Sequence, residues 1–201
     1  MLAAHVARAP LRTGARVLEL CAGSGIAAVA AARRGCDVTA VDVSRRAVLT
    51  ATANARLNGT RVRAVRGDLL APLDGRSFHL IAANPPYLPG DSGDLPGSGP
   101  ERAWEGGSDG RTLLDRILAE APPRLEPGGV LLLVHSSVCG EEETLAALRG
   151  AGLEPEVRER RRGPLGPLLG DRAEELAEKG LLPDGKPEED VLVVSGRRPV
   201  G

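Results

Sequence analysis

The N-terminal part of the sequence alternates short apolar runs with helix-forming runs, and this alternation constrains the fold more than any other feature. Arg16–Leu20 and Asp37–Asp42 have the length and composition of buried strands, and residues 61–66 alternate like a third strand. An Ala-rich helical run follows the first strand, and Ser44 is a suitable N-cap for a helix that continues to Asn58. Strand, helix, strand, helix, strand at this spacing predicts a doubly wound, mostly parallel α/β sheet.

The remaining sequence extends this pattern to the end of the chain. We predict further strands at Phe78–Ala83, 129–134, 154–162 and 190–194, and helices at 112–121, 141–149 and 171–179, the last within a long excursion over 163–186. A chain of 201 residues, 42% hydrophobic and 26% charged, has the composition of a soluble globular protein. We therefore expect residues 1–201 to form a single domain.

Composition and charge exclude several classes of function. A net charge of -1 argues against broad nucleic-acid binding, because the chain has no excess of basic residues to neutralise phosphates. An aromatic content of 1% leaves too few rings to stack on the bases of a single strand. Cys21, Cys36 and Cys139 show no metal-ligand spacing, so we predict no metal site and a reducing compartment. The sequence has no long apolar span and no signal-peptide pattern, so we expect a cytoplasmic protein that is not bound to a membrane.

Polar and glycine residues follow successive strands of the predicted sheet. Gly23-Ser24-Gly25 leads from the first strand into a helix, Asp42 ends the second strand, Asp68 follows the third and Asn84 follows the fourth. Ligands of open α/β sheets bind at the carboxyl ends of the strands, so these residues mark a candidate site. Separately, Asp42 could cap the next helix and Asp68 could be a turn residue; together, the four positions favour a ligand.

Asn84-Pro85-Pro86-Tyr87 forms a stiff exit from the fourth strand. Neither proline has an N–H group, and each holds the preceding residue in an extended conformation. The Asn84 amide and the backbone carbonyls near Pro85 could accept hydrogen bonds from a planar –NH2 group, and the Tyr87 ring could stack on its plane. The alternative is a strand-ending turn, because Asn-Pro alone is a turn signal.

The ligand of the glycine loop is open between NAD and S-adenosylmethionine, because one pattern fits NAD and two details go against it. Gly23-x-Gly25-x-x-Ala28 satisfies the relaxed dinucleotide fingerprint. Glu19, however, places a carboxylate in the first strand, which would repel a pyrophosphate and attract a sulfonium or ammonium group. Glu19 could also be a structural acceptor for loop N–H groups. Asn84-Pro85-Pro86-Tyr87 has no evident role in hydride transfer, so we favour S-adenosylmethionine.

These stretches resemble a known family. Residues 19–25 (Glu-Leu-Cys-Ala-Gly-Ser-Gly), 41–42, 67–68 and 84–87 are similar to the class I S-adenosylmethionine-dependent methyltransferases, which have a Rossmann-like fold, and more narrowly to the release-factor glutamine methyltransferases. Residues 103–111, with Trp followed by Gly-Gly-Ser-Asp-Gly, resemble a second family stretch. The resemblance is greatest to the short branch without the N-terminal helical domain.

The resemblance implies a cofactor and roles for individual residues. The cofactor is S-adenosyl-L-methionine, and the implied binding residues are Glu19, Cys21, Ala22, Gly23, Gly25, Asp42, Val43, Asp68, Leu69 and Asn84. Asn84 and the Pro85 carbonyl would hold the acceptor amide, and Tyr87 would pack on it. The resemblance also implies a seven-stranded sheet with an antiparallel last strand, a release factor as protein substrate, and a small activating partner subunit.

The resemblance leaves three functions open. The first is methylation of a glutamine amide, in the Gly-Gly-Gln loop of a translation release factor. The second is methylation of an exocyclic amine of a nucleic-acid base, because the adenine –NH2 has the same planar shape; the near-neutral charge argues against it. The third is a cofactor-binding module with reduced activity.

Two segments bear on how the site is covered. Residues 88–110 are rich in Pro, Gly, Ser and Asp and contain Trp104, so we interpret them as a lid over the substrate, with a solvated linker as the alternative. Short-branch members carry a Tyr-x-Pro-x-x-Asp type segment before the first strand. This sequence starts at Met1-Leu2-Ala3-Ala4, downstream of that position, so we expect a truncated start or a different cover.

Overall fold

The structure of the protein is a computed structural model, and it describes residues 1–182 and 187–200. In this part of the chain the strands are β1 (Arg16–Leu20), β2 (Asp37–Asp42), β3 (Arg63–Arg66), β4 (Phe78–Ala83), β5 (Leu125–Ser136), β6 (Glu154–Pro164) and β7 (Glu188–Arg197). The α-helices are α1 (Leu2–Arg8), α2 (Ile26–Ala32), α3 (Arg45–Leu57), α4 (Thr112–Glu120), α5 (Glu141–Gly150), α6 (Pro167–Gly170) and α7 (Ala173–Glu178).

The strands form one seven-stranded sheet in the order β3-β2-β1-β4-β5-β7-β6. Neighbours from β3 to β5 are parallel, whereas β7 is antiparallel to both β5 and β6. The predicted fold class, a doubly wound sheet with an antiparallel last strand, is confirmed. The strand order reverses between β1 and β4, and this switch point is where ligands of such sheets bind.

The register of the central strands brings their carboxyl ends together. Leu20 of β1 lies opposite Val41 of β2 on one side and Ala83 of β4 on the other. The next residues along these strands are Cys21, Asp42 and Asn84, so the predicted site residues leave the sheet at one edge.

The core consists of two aliphatic layers, because the buried strands alternate side chains between the two faces of the sheet. On one face, Leu18 and Ile81 pack with Leu114 and Ile117 of α4. On the other face, the strands pack against α1 and α2 through a layer that includes Val6, Val17, Ala28, Val38 and Leu80. With a single Phe and a single Trp in the sequence, Leu, Val and Ala supply the core.

Several predicted boundaries differ from the structure; for example, β6 and β7 are longer than the strands predicted at 154–162 and 190–194. The third strand is shorter than 61–66, and β5 begins at Leu125 rather than at 129 because Leu125 pairs with Phe78. The helix predicted at 171–179 is α7, preceded by the short helix α6. Part of the predicted 163–186 excursion, residues 183–186, lies outside the described residues. No α-helix of the described ranges has the length and apolarity needed to cross a membrane.

Candidate active site

The loop between β1 and α2 has the backbone conformation of a close-approach loop. Gly23 and Gly25 have left-handed φ angles of 51° and 70°, and a Cβ atom on Gly25 would lie 2.7 Å from the Ala51 Cβ of α3. Gly25 therefore lets the loop pack on α3. A Cβ on Gly23 would meet nothing within 4 Å, so the space above this residue is open.

Cys21 begins this loop, and its surroundings disfavour the thiolate form. Burial, with the nearby charges of Asp42 and Asp68, raises the pKa of the Cys21 thiol to about 12. The thiol is protonated at neutral pH, so Cys21 can contribute only as a small apolar wall.

Glu19 is buried within β1, where it is 5% exposed. Its Oε2 accepts a hydrogen bond of 2.7 Å from the Ala28 N–H in the first turn of α2. Burial raises the pKa of Glu19 to about 7, the N–H groups of Ala28 and Ala27 oppose that shift, and Asp42 adds to it. Glu19 is thus a structural acceptor, as one interpretation predicted, and also a carboxylate that a nearby cation would favour in its ionised form.

Asp42 connects the loop with the start of α3. Its Oδ2 accepts from the Gly23 N–H at 2.9 Å, and its Oδ1 accepts from the Ser44 N–H at 2.8 Å. Ser44 itself caps α3 through a hydrogen bond from the Ala47 N–H. Each carboxylate oxygen has a second lone pair, so Asp42 retains capacity for ligand hydroxyl groups.

Asp68 has a partner that the sequence did not reveal. Arg116 of α4 donates from Nη1 to Oδ1 at 3.2 Å and from Nη2 to Oδ2 at 2.9 Å. The hydrogen bond to Asp68 is the main cause that raises the pKa of Arg116. A ligand amino group at Asp68 must therefore share this carboxylate with the guanidinium. Leu69, which follows, is buried and has a left-handed φ of 44°.

Asn84 is exposed where β4 ends, and no described residue hydrogen-bonds its side-chain amide. Pro85 is buried and Tyr87 is half-buried. Tyr87 packs against both layers of the core, and its carbonyl accepts from Cys139 Sγ at 2.9 Å. Burial raises the pKa of Tyr87, with Glu189 and Cys139 adding to the shift. The segment therefore fixes its prolines and tyrosine firmly and leaves Asn84 open to a ligand.

A cavity of about 1040 Å³ brings these strand ends together. Of the predicted site residues, its lining contains Cys21, Gly23, Asp42, Val43, Asp68, Leu69 and Asn84. Glu19, Ala22, Gly25, Pro85 and Tyr87 are not part of the lining. The predicted lid contributes Leu95, Trp104 and Glu105, among other residues, to the same lining.

The cavity lining also includes charged residues that sequence reasoning missed. They are the five arginines Arg45, Arg46, Arg66, Arg102 and Arg116. Arg45 and Arg46 begin α3 and Arg66 ends β3, so these three lie next to predicted site residues in the sequence. Arg102 and Arg116 reach the cavity only through the packing of distant segments, which no local pattern shows. A second cavity of about 900 Å³ has an apolar, Pro- and Ala-rich lining that includes residues of α4 and α5. None of the predicted site residues lines it.

Comparison with known proteins places the chain in a family. The model of the methyltransferase small domain matches residues 1–95. A protein of Methanocaldococcus jannaschii named as an N5-glutamine methyltransferase is 36% identical over 154 residues, which are 76% of this chain and 78% of that protein. The chain belongs to the glutamine methyltransferase family. The resemblance inferred from the sequence stretches is thereby confirmed.

Bacterial members of the family are similar but longer. The release factor glutamine methyltransferases of Deinococcus radiodurans and Gloeobacter violaceus are 42% and 40% identical, over 71% and 60% of this chain. The chain spans only 53% and 45% of their lengths. Among solved structures, the Encephalitozoon cuniculi Mtq2–Trm112 complex has a TM-score of 0.66 at 23% identity and covers 98% of this chain and 92% of that chain. At this identity it supports the fold.

Proposed function

We propose that this family member transfers a methyl group to the side-chain amide nitrogen of a glutamine in a protein. The observation that carries the proposal is Asn84, an exposed amide that the structure leaves without a described partner. It shares one cavity with the glycine loop and with Asp42. The names of the relatives, release factor and ribosomal protein uL3 glutamine methyltransferases, support an amide as the acceptor.

The residues present fit S-adenosylmethionine as the cofactor. The open space above Gly23 admits a ligand against the loop, and the buried Glu19 carboxylate would favour a cation. We assign the ribose hydroxyls to Asp42 and the adenine amino group to Asp68, next to Leu69. Cys21, Ala22 and Val43 complete the proposed site. When bound, the cofactor supplies a methyl group on a sulfonium.

Asn84 and Pro85 would act on the acceptor by positioning it. An amide nitrogen is a weak nucleophile because its lone pair is delocalised into the carbonyl. The Asn84 Oδ1 and the Pro85 carbonyl accept the two N–H groups, and the Tyr87 ring packs on the amide plane, so the nitrogen is held towards the methyl group. The same dipoles stabilise the positive charge that develops on nitrogen. Positioning of this kind can supply roughly 7–11 kcal/mol of the barrier.

We propose that residues 88–110 cover this reaction as a lid within a single methyltransferase domain. Trp104 and its neighbours line the same cavity as the strand ends. The Leu88 N–H donates to the Trp104 carbonyl at 2.7 Å, so the two ends of the segment are joined. A segment that is anchored at its base and lines the cavity with its other residues could act as such a lid.

We propose a small activating subunit as an additional partner, with Trm112 in the Mtq2 complex as the precedent. Ile26 of α2 and Leu49 of α3 are 65% and 61% exposed, and these helices contact each other. A subunit that covers this surface should raise the activity of the wild-type chain and fail to do so for Leu49→Glu. Equal activation of both proteins would contradict this docking surface.

The direct experiment is methyl transfer from labelled S-adenosylmethionine to a release factor and to its Gln→Ala variant. Asn84→Ala should lower kcat on the order of 100-fold or more, because one preorganised acceptor is lost. Its thermal stability should remain unchanged, because Asn84 is exposed. Asn58→Ala, at the end of α3 and outside the cavity lining, is the control for activity alone, because Asn58 loses its hydrogen bonds with Arg33 and the Asn54 carbonyl. Equal labelling of both factors, or full activity of Asn84→Ala, would refute the proposal.

A nucleic-acid base amine is the second candidate, because arginines line the cavity and could contact phosphates. The same assay therefore includes RNA and ribosomal protein uL3 as acceptors. Label on RNA that depends on Asn84 would support this alternative over a glutamine.

A further inference from the structure

The turn at residues 106–110 packs against the chain that leaves Asn84. The Leu88 carbonyl accepts from the Gly106 N–H at 2.9 Å, and the Gly90 N–H donates to the Gly107 carbonyl at 2.8 Å. With the hydrogen bond from Leu88 to Trp104, these contacts form a short parallel ladder. The ladder fixes residues 88–90 against residues 104–107.

Only a glycine permits the approach at position 106. A Cβ atom there would lie 2.7 Å from the Pro86 carbonyl oxygen and 2.6 Å from the Gly110 carbonyl oxygen, and both neighbours are backbone atoms. Cβ atoms essentially never lie within 3.0 Å of other atoms, so an alanine at position 106 would displace the backbone at Pro86 or Gly110. A Cβ on Gly110 would likewise collide with the Tyr87 carbonyl.

The same segment has a further contact, with Cys139. Cys139 Sγ donates to the Tyr87 carbonyl at 2.9 Å. The Arg111 guanidinium, next to the turn, donates to the carbonyls of Cys139 and Gly140 and to Thr144 Oγ1. The turn, the end of β5 and the start of α5 therefore form one connected support for Pro86 and Tyr87.

We propose that Gly106 is a positioning residue for methyl transfer, and that Cys139 supports the same segment through its hydrogen bond to the Tyr87 carbonyl. The close contact of Gly106 with the Pro86 carbonyl fixes the Pro85-Pro86 pair and, through it, the directions of the Asn84 amide and the Pro85 carbonyl. The inference rests on the proposed function, because it concerns how the acceptor amide is held. Gly106 acts through these groups and touches neither the acceptor nor the cofactor.

Gly106→Ala tests the proposal against Gly97→Ala. Neither glycine has a left-handed backbone conformation, so alanine adds volume at both positions without strain in φ. A Cβ on Gly97 meets nothing within 4 Å, and both residues belong to the same lid segment. Gly106→Ala should lower kcat on the order of 100-fold, the effect of a displacement of about 1 Å, with the cofactor Kd unchanged. Gly97→Ala should behave like the wild type.

Hydrogen exchange separates a failure of this inference from a failure of the proposed function. If the wild type methylates no glutamine, the amides of Leu88 and Gly90 still report the ladder. Faster exchange at both amides in Gly106→Ala, and not in Gly97→Ala, supports the inference. Equal exchange in the two variants overturns it, and so does a parallel loss of kcat and cofactor affinity.

Cys139 provides a second test if Gly106→Ala does not fold. Cys139→Ala removes the donor to the Tyr87 carbonyl and should lower kcat at unchanged cofactor Kd. Cys139→Ser keeps a donor of similar size and should restore kcat. Equal activity of the alanine and serine variants would show that this hydrogen bond does not position the acceptor.

Discussion

At the scale of single residues, Glu19 shows how a ligand site and fold stability oppose each other. The side chain is 5% exposed, and burial raises its pKa from 4.5 to about 7. The folded protein therefore has to ionise a carboxylate in a place that disfavours its charge. A cation bound beside Glu19 would offset this penalty. An uncharged residue at position 19 could not attract the cation in this way.

Glu19→Gln should stabilise the protein above neutral pH. Because the folded pKa exceeds the unfolded value, the unfolded chain loses this proton first as pH rises from 4.5 to 7. The free energy of unfolding of the wild type therefore falls over this window, by about 3 kcal/mol from this group, and the penalty persists above pH 7. The variant should lack this fall.

Urea unfolding at pH 5 and pH 8 measures the difference, and a cofactor titration measures the opposite effect on binding. Glu19→Gln should bind S-adenosylmethionine more weakly than the wild type at pH 8. Identical pH dependence of the two proteins would show that Glu19 does not titrate in this window.

At the scale of elements, the ion pair between Asp68 and Arg116 joins the chain after β3 to α4. Both side chains are substantially exposed, at 52% and 39%, so the pair should contribute less than about 1 kcal/mol to the free energy of unfolding. The pair should matter more for cofactor affinity, because the Arg116 guanidinium already donates to both Asp68 oxygens that we assign to the adenine amino group.

Arg116→Met should raise the affinity for S-adenosylmethionine, because a competitor for Asp68 is removed. Arg76→Met is the matched control, since Arg76 pairs with Asp37 at 3.0 Å with similar exposure and does not line the cavity. Calorimetric titration of both variants decides the question. A loss of affinity in Arg116→Met would place the guanidinium directly on the cofactor.

At the scale of the whole molecule, the proposed lid and the strand ends line one cavity. The single tryptophan of the sequence, Trp104, lines this cavity from the lid side. Cofactor binding should therefore change the intrinsic fluorescence of the protein. Trp104→Phe should abolish the signal while calorimetry still detects binding. An unchanged wild-type emission spectrum at saturating cofactor would show that the surroundings of Trp104 do not change when the cofactor binds.

The sequence predicted those parts of the molecule that depend on local pattern. Continuous apolar runs gave the bounds of β1, β2 and β4 correctly, and the glycines and prolines marked where these strands end. The early start of β5 depends on its pairing with Phe78, which no local signal shows. Arg116 and Cys139 reach partners 48 and 52 residues away, so only the tertiary fold reveals their contacts.

The position of β6 at the end of the sheet has a consequence for self-association. An open strand edge is a template on which further chains can pair and aggregate. Here the strand carries four arginines, and each has an acidic partner: Arg158 with Glu156, Arg160 with Glu141 and Asp190, Arg161 with Glu159, and Arg162 with Asp190. A strand of another chain that paired with β6 would have to remove water from these arginines and their acidic partners. Salt screens such exposed charges, so concentrated solutions should form aggregates more readily at high ionic strength than at low.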